Sequence, residues 1–342
     1  MTEQERKLFV AMVGLRFEDK LLLINKILDE GVDINCIDID NDGATPLLYA
    51  IRIAGISQYD IDYKVFELLL SKGARLNVED DEGNTPVLIA IKYFALNILD
   101  RLVQMGCSIQ SQNSEGCDVF DIILARYLEE KKIDEEHIDT VADPHFKASI
   151  LEGKGEAFER MLMRIDAILS HGYNLNSEER NSAAFTAVAA ISANRLPVDV
   201  LEYLFDNGSD PKETILRENG MRVPLLDYAM FRKLPQTSIL SLMQKIGLDY
   251  VFDDYYSFTP LDFAVVKGDI SLLTQLIHLG ASIHHNNDQP LRNACKLGNL
   301  EMVKFLISMG ADTQVKDDKG NTASYYAQTK GFDKIVAYLK TK

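Results

Sequence analysis

The sequence contains no tryptophan and only four cysteines among its 342 residues. The cysteines are Cys36, Cys107, Cys117 and Cys295, and no two of them form a CxxC pair. A disulfide framework needs several closely patterned cysteines, and a structural zinc site needs paired ligands. The scarcity therefore excludes both kinds of site and suits a reducing compartment.

Long apolar runs are missing as well. No stretch approaches the roughly 18 consecutive apolar residues that a membrane-spanning helix requires. The amino-terminal segment, MTEQERKLFVAM, places charges where a signal peptide would have its apolar core. We therefore expect a cytoplasmic protein with no membrane partner.

Basic residues are outnumbered by acidic ones. There are 36 lysines and arginines against 52 aspartates and glutamates, which gives a formal net charge of −16. Such a charge repels the phosphates of nucleic acids and anionic membrane surfaces, and it attracts a basic partner. We therefore expect no nucleic-acid partner. The alternative interpretation of the acidity is that it only keeps the protein soluble.

Eight glycines recur at intervals that return to about 33 residues, and each follows an apolar stretch with helical spacing. They are Gly31, Gly73, Gly106, Gly172, Gly208, Gly247, Gly280 and Gly310. A glycine there can adopt the left-handed backbone conformation that commonly ends a helix. A period of this length predicts a stacked array of repeated helical units.

A second recurring phrase lies between the glycines. It reads Asp-Gly-Ala-Thr-Pro at 42–46 and Glu-Gly-Asn-Thr-Pro at 82–86, with weaker copies at 257–264 and 320–327. The glycine closes a turn and the threonine can cap a helix. Proline is tolerated at the first helical position because its missing N–H is not needed there. Each phrase therefore predicts a turn followed directly by a helix.

The turn, the Thr-Pro helix start, the second helix and the glycine stop together resemble the ankyrin repeat family over nearly the whole chain. The resemblance implies an all-α solenoid, an ankyrin repeat array of about nine helix-turn-helix units with short β-turn or hairpin connections. We expect a single ankyrin-repeat domain over 1–342, with an N-terminal cap unit at 1–33 and a C-terminal cap unit at 315–342. The divergence of the repeats is similar to that of bacterial or viral effector proteins.

One feature of the family is missing. Its members usually carry a histidine after Thr-Pro-Leu, which joins neighbouring turns by hydrogen bonds. Leu48, Leu88, Asp262 and Ser324 stand at those positions here. The sequence therefore predicts that this network of hydrogen bonds is absent.

The interval from Gly106 to Gly172 is twice the usual spacing, and its middle is strongly acidic without the apolar pattern of an outer helix. We favour one unit that carries an acidic insertion at about 128–155. The alternative is a hidden second unit whose first helix begins near Pro144.

The resemblance also implies where a partner binds. In this family the partner docks on the concave face, formed by the hairpin tips and the exposed side of the inner helices. Matching the turn pattern to this chain gives the expected partner-binding residues Asn41, Asp42, Asp81, Glu82, Asn84, Tyr255, Tyr256 and Phe258. Because exposed aromatics are costly and tyrosine is enriched at interface hot spots, the last three form a predicted anchor. The alternative is that they pack against the neighbouring turn.

No combination of residues indicates catalysis, a cofactor or a metal. The acidic turn at 38–43 lacks the later glutamate of a calcium-binding loop, and the pair at 284–285 is two histidines without a third ligand. The sequence therefore predicts a non-enzymatic, monomeric interaction scaffold whose partner is a protein with a basic patch. Two alternatives stay open. One is a secreted bacterial effector that captures a protein in the host cytoplasm, and the other is an inhibitor or immunity protein that neutralises a basic toxin or enzyme.

Overall fold

Helices account for most of the regular structure. The computed structural model describes residues 1–14, 18–57, 59–136, 155–176, 182–193, 195–216, 222–252 and 256–342. These residues divide into two units, Met1–Asn174 and Leu175–Lys342. The single domain over 1–342 stays a prediction.

The first unit contains eight described helices. They are α1 (Glu3–Gly14), α2 (Glu18–Asp29), α3 (Pro46–Ser57), α4 (Asp60–Ser71), α5 (Pro86–Lys92), α6 (Leu96–Gln104), α7 (Val119–Glu136) and α8 (Glu156–Ser170). Consecutive helices pack as four pairs, and the first helix of each pair packs against the first helix of the next. Each pair therefore buries its apolar side chains against its neighbours in sequence.

The second unit contains ten described helices and a short antiparallel hairpin. They are α9 (Ala183–Ser192), α10 (Asp199–Asp206), β1 (Thr214–Leu216), β2 (Arg222–Pro224), α11 (Leu225–Phe231), α12 (Gln236–Ile246), α13 (Pro260–Lys267), α14 (Ile270–His278), α15 (His285–Leu297), α16 (Leu300–Ser308), α17 (Ala323–Thr329) and α18 (Asp333–Leu339). Consecutive helices again form pairs, and α13, α15 and α17 stack in order. The nine described pairs confirm the predicted all-α repeat array.

The predicted helix starts and stops are confirmed. Helices begin at Pro46, Pro86 and Pro260, directly after a threonine. The Thr85 side chain accepts a hydrogen bond from the backbone N–H of Leu88 at 3.4 Å, which satisfies one amide that the helix leaves free. All eight glycines of the repeat have positive φ values, from +78° to +104°.

Inner and outer helices differ in how much of their surface is buried. In α5 every residue from Pro86 to Ile91 is buried, because pairs lie on both sides of this helix. In α6 only one face is buried, formed by Ile98, Leu99 and Leu102. No described helix has both the length and the apolar composition needed to cross a bilayer.

The expected acidic insertion falls largely outside the described residues, which leave out 137–154. Of the rest, 128–136 continue α7, and α8 follows at Glu156. Helices α7 and α8 pack extensively against each other as the fourth pair. The choice between an insertion and a hidden unit near Pro144 stays a prediction.

A buried carboxylate with three arginines lies between α7 and α8. Glu130 accepts hydrogen bonds from Arg164 at 2.7 Å, Arg160 at 2.9 Å and Arg126 at 3.4 Å. Arg164 is 1% exposed and also donates to the backbone carbonyl of Ile91 in the third pair, at 3.0 Å. Burial alone would raise the pKa of Glu130, but the bonds from Arg164 and Arg160 hold it below its usual value. Glu130 therefore helps to join two pairs and is not a surface charge of an insertion.

Replacing Glu130 with alanine should destabilise the protein by about 3 kcal/mol, because Arg164 would remain buried without its carboxylate. The measurement is urea unfolding followed by circular dichroism, with the free energy taken from the midpoint and slope. Glu129→Ala is the matched control, because Glu129 is the adjacent glutamate and its side chain is exposed. This variant should change the free energy of unfolding by no more than about 0.5 kcal/mol. Equal losses in the two variants would contradict the role of the buried cluster.

Candidate functional site

The first predicted interface turn is closed by its own hydrogen bonds. Asp38 and Ala44 form an antiparallel bridge, with the Asp38 N–H donating to the Ala44 carbonyl at 3.0 Å. The Asp38 carboxylate accepts from the Asp40 N–H at 3.1 Å and from the Asn41 side chain at 2.6 Å. This leaves Asn41 and Asp42 exposed at the tip, as the sequence predicts.

Neighbouring turns are joined directly through the backbone. The Asp81 N–H donates to the Asp42 carbonyl at 2.8 Å, and the Ser114 N–H donates to the Glu82 carbonyl at 3.1 Å. The approach is close enough that a Cβ on Gly43 would lie 2.2 Å from the Asp81 carboxylate. The turns of the second, third and fourth repeats therefore form one continuous edge, on which Asp42, Asp81 and Glu82 are exposed.

An arginine that the sequence analysis missed links two of these turns. Arg52 on α3 is largely buried, and its guanidinium donates to Asp42 at 3.2 Å and to Asp80 at 2.9 Å. It also lies over the Tyr93 ring, 5.7 Å from the ring centre. Nothing in the sequence marks Arg52, because it lies within the buried helix α3 and contacts a carboxylate of the next repeat.

Asn84 corrects one predicted site residue. It was expected to be exposed, yet it is 0% exposed. Its side-chain amide donates to Asp80 at 3.1 Å and to Glu82 at 2.9 Å, and its carbonyl accepts from Asn113 of the next turn at 3.3 Å. Asn84 therefore orients the exposed carboxylate of Glu82 and cannot itself contact a partner in this conformation.

Glu82 is held in its charged form. The hydrogen bond from Asn84, followed by the hydrogen bond and positive charge of Lys92, lowers the pKa of the Glu82 carboxyl below its ordinary value. The Lys92 ammonium lies 3.2 Å from the carboxylate. Glu82 thus stays ionised at mildly acidic pH while it remains exposed.

The predicted aromatic anchor lies in the second unit and is only partly exposed. Tyr256 is 65% exposed and has a φ of +57°. Phe258 is half-buried, with its ring centre 5.5 Å from that of Tyr256 and 5.6 Å from that of Phe263 in the core. Phe258 is therefore less exposed than its turn position predicted, because its backbone pairs with Phe252 and its ring lies against Phe263 of α13. Tyr255 lies outside the described residues.

Other chemistry was sought among the described residues. They contain no group of three or more histidine, cysteine, aspartate or glutamate side chains arranged around a common metal position. His284 lies 2.7 Å from Asp288 within its own turn.

Replacing Asn84 with alanine should raise the pKa of Glu82 toward its ordinary value, since the larger of its stabilising hydrogen bonds is removed. Lys92→Met should also raise the pKa of Glu82. Lys64→Met, which removes an equal charge on α4, should leave that pKa unchanged. The measurement is a carboxyl NMR titration of Glu82 in the folded protein.

The depressed pKa has a consequence for stability with a definite sign. A carboxyl whose pKa is lower in the folded state stabilises the protein above its unfolded pKa, and this stabilisation is lost as the pH falls through the folded value. Unfolding at mildly acidic and at neutral pH should therefore show a smaller difference in Asn84→Ala than in the unchanged chain. An unchanged Glu82 titration in that variant would refute the assignment.

Comparison with known proteins adds a family match. The family model described as ankyrin repeats (three copies) matches residues 12–113 and 261–342, which together are more than half of the chain.

Individual relatives are similar over parts of the sequence. Protein phosphatase 1 regulatory subunit 27 of Mus musculus is 26% identical over 136 residues, which are 38% of this chain and 87% of that protein. An interferon antagonist of Vaccinia virus is 35% identical over 79 residues, which are 23% of this chain and 28% of that protein. An ankyrin repeat protein of Acanthamoeba polyphaga mimivirus is 21% identical over 286 residues, which are 81% of this chain and 35% of that protein. The matches thus span about a third or less of these two viral relatives.

Proposed function

Because this chain belongs to the ankyrin repeat family, whose members generally mediate protein–protein interaction, we propose that it is a non-enzymatic, monomeric scaffold for a basic protein partner in the cytoplasm. Recognition would use a surface that is already formed before binding. A preformed surface loses little conformational entropy on association, so more of the contact energy remains as affinity.

The observation that carries the proposal is the acidic edge formed by Asn41, Asp42, Asp81 and Glu82. Its carboxylates are exposed on consecutive turns that backbone hydrogen bonds hold together. Asp42 and Glu82 each keep one intramolecular basic neighbour, Arg52 or Lys92, which fixes their orientation. Ordered carboxylates on a strongly acidic protein favour a partner with a matching basic patch.

Tyr256 is the residue of the aromatic anchor that best fits a contact role. It is exposed at a turn, whereas Phe258 beside it is half-buried and packs against Phe263. We propose that it makes a separate contact in the second unit, where truncation to alanine would cost about 2 kcal/mol of binding free energy if it is a hot spot.

The experiment starts with affinity capture on the full chain and identification of bound proteins by mass spectrometry. The affinity of the captured partner is then measured by interferometry for the unchanged chain and for Asp81→Lys. We expect a loss of about tenfold or more, because a like charge would face the basic patch. Added salt should weaken binding mainly through the association rate.

The matched control is Asp206→Lys, which makes the same change in net charge on the exposed side of α10. It should leave the affinity nearly unchanged. The proposal would be contradicted if the affinity of the partner did not change with salt and was the same for Asp81→Lys and the unchanged chain. The acidic edge would then not recognise the partner.

A second candidate is capture of a host protein by a secreted effector, with an inhibitor protein as a related possibility. The observation that favours it is the similarity to two viral proteins, one named as an interferon antagonist and the other as an ankyrin repeat protein. A translocation reporter fused to the chain should then give signal in the host cytoplasm. Absence of signal, with the fusion expressed and folded, would remove secretion from consideration.

A further inference from the structure

An apolar pocket of about 600 Å³ lies within the first unit, beside the acidic edge. Its walls come from α1, α3, the residue that precedes α4 and the loop after α5, and include Val13, Tyr49, Ile53, Ile56, Tyr59 and Tyr93. Its volume falls within the range of about 300–1,000 Å³ that is usual for ligand pockets. None of the residues predicted from the turn pattern lines it.

The floor of the pocket is fixed by a buried ion pair. The Lys20 ammonium lies 2.6 Å from the Asp62 carboxylate, and both side chains are almost fully buried. The Ser57 hydroxyl also donates to Asp62. Because these charges satisfy each other, the floor offers no free charge to a ligand.

One wall is held equally firmly. Arg52 is fixed between two carboxylates and the Tyr93 ring, as described above. Gly55 allows this wall to form, since a Cβ at that position would lie 2.1 Å from the Tyr93 carbonyl oxygen. The pocket is therefore preformed, with apolar surfaces on a rigid polar frame.

The mouth of the pocket carries large apolar side chains that the fold leaves in solvent. Ile56 is 72% exposed, Tyr59 67% and Val13 60%. Single exposed apolar residues are ordinary, but a group of them around one concavity is typical of a contact site.

Charge complementarity indicates what would occupy the pocket. A second cavity of about 480 Å³ shares Val13 and Tyr49 with the first and is lined by Asp40 and Asn41 of the acidic turn. The Asp40 side chain is exposed, and its carboxylate lies 3.7 Å from the guanidinium of Arg6. An occupant would thus place an apolar side chain against Ile56 and a basic side chain near the turn.

We infer that this pocket is the anchor site for a linear protein segment in which a large apolar side chain lies close to lysine or arginine. The inference rests on the proposed function, because the segment would belong to the basic partner that the acidic edge attracts. The apolar side chain would provide affinity by burial, and the basic side chains would provide orientation against Asp40 and Asp42.

The test uses a displayed library of random linear peptides, selected on the purified full chain. We expect enrichment of peptides that combine one aromatic or aliphatic residue with nearby lysine or arginine. A synthetic copy of an enriched peptide, followed by fluorescence anisotropy, should bind Ile56→Ser and Val13→Ser at least tenfold more weakly than the unchanged chain. Both sites are exposed, so neither change should impair folding.

Leu22→Ser is the matched control, since Leu22 is 70% exposed on α2 and lines neither cavity. It should bind the peptide as the unchanged chain does. Enrichment of peptides without this combination, or equal binding by Ile56→Ser, would overturn the anchor site.

The two proposals fail in different ways. In one outcome, Asp81→Lys weakens binding of the captured partner, but Ile56→Ser and Val13→Ser weaken binding of neither the partner nor the peptide. The anchor site is then wrong and the proposed acidic scaffold stands. If the pocket variants weaken binding of the peptide and Asp81→Lys has no effect on the captured partner, the acidic edge is wrong instead. Loss of peptide binding together with loss of self-association would show that the pocket holds a second copy of the chain, which also contradicts the inference.

Discussion

Burial of apolar side chains between neighbouring helix pairs is the interaction on which the rest of this structure depends. The inner helix α5 shows it most clearly, since it is covered by α3 on one side and α7 on the other and exposes almost nothing. Each pair relies on its neighbours in sequence, as is general in repeat proteins. Turns, hairpins and loops can then vary in sequence as long as the buried faces match.

Polar contacts between repeats are built on that apolar stack. The histidines that usually join neighbouring turns are absent, and other side chains make hydrogen bonds between repeats instead. Arg52 with Asp80, Asn113 with Asn84, and Asn293 with Asp262 at 3.1 Å each connect adjacent repeats. The two partners of each bond lie on different repeats. The residue that stands in place of the family's histidine therefore does not by itself indicate whether such a bond forms.

The same rigidity gives the proposed surface its properties. The acidic turns are held to each other by backbone hydrogen bonds, and the apolar pocket is framed by buried ion pairs. Neither feature needs to be ordered by a partner, so binding would cost little conformational entropy. The acidic edge would govern the rate and salt dependence of association, while the pocket would govern how long a complex lasts.

How far the sequence reached can be judged from particular residues. The glycine period and the Thr-Pro phrases predicted the nine pairs, the helix starts at Pro46, Pro86 and Pro260, and the left-handed glycines. They succeeded because turn chemistry and helix caps depend on a few adjacent residues. The exposure of Asn41, Asp42, Asp81 and Glu82 was also predictable, since a turn tip lies outside any apolar stack.

The burial of Asn84 and Glu130, and the packing of the half-buried Phe258 against Phe263, could not be predicted in the same way. Each depends on a side chain from another repeat or another helix, at a distance that the sequence does not encode locally. The pocket shows this most strongly, because its residues come from three consecutive pairs and meet only when those pairs stack. By itself, then, the sequence determined the repeat, its punctuation and its charge, which are local or additive properties. Tertiary packing alone decided which charges are buried and where an apolar surface stays open.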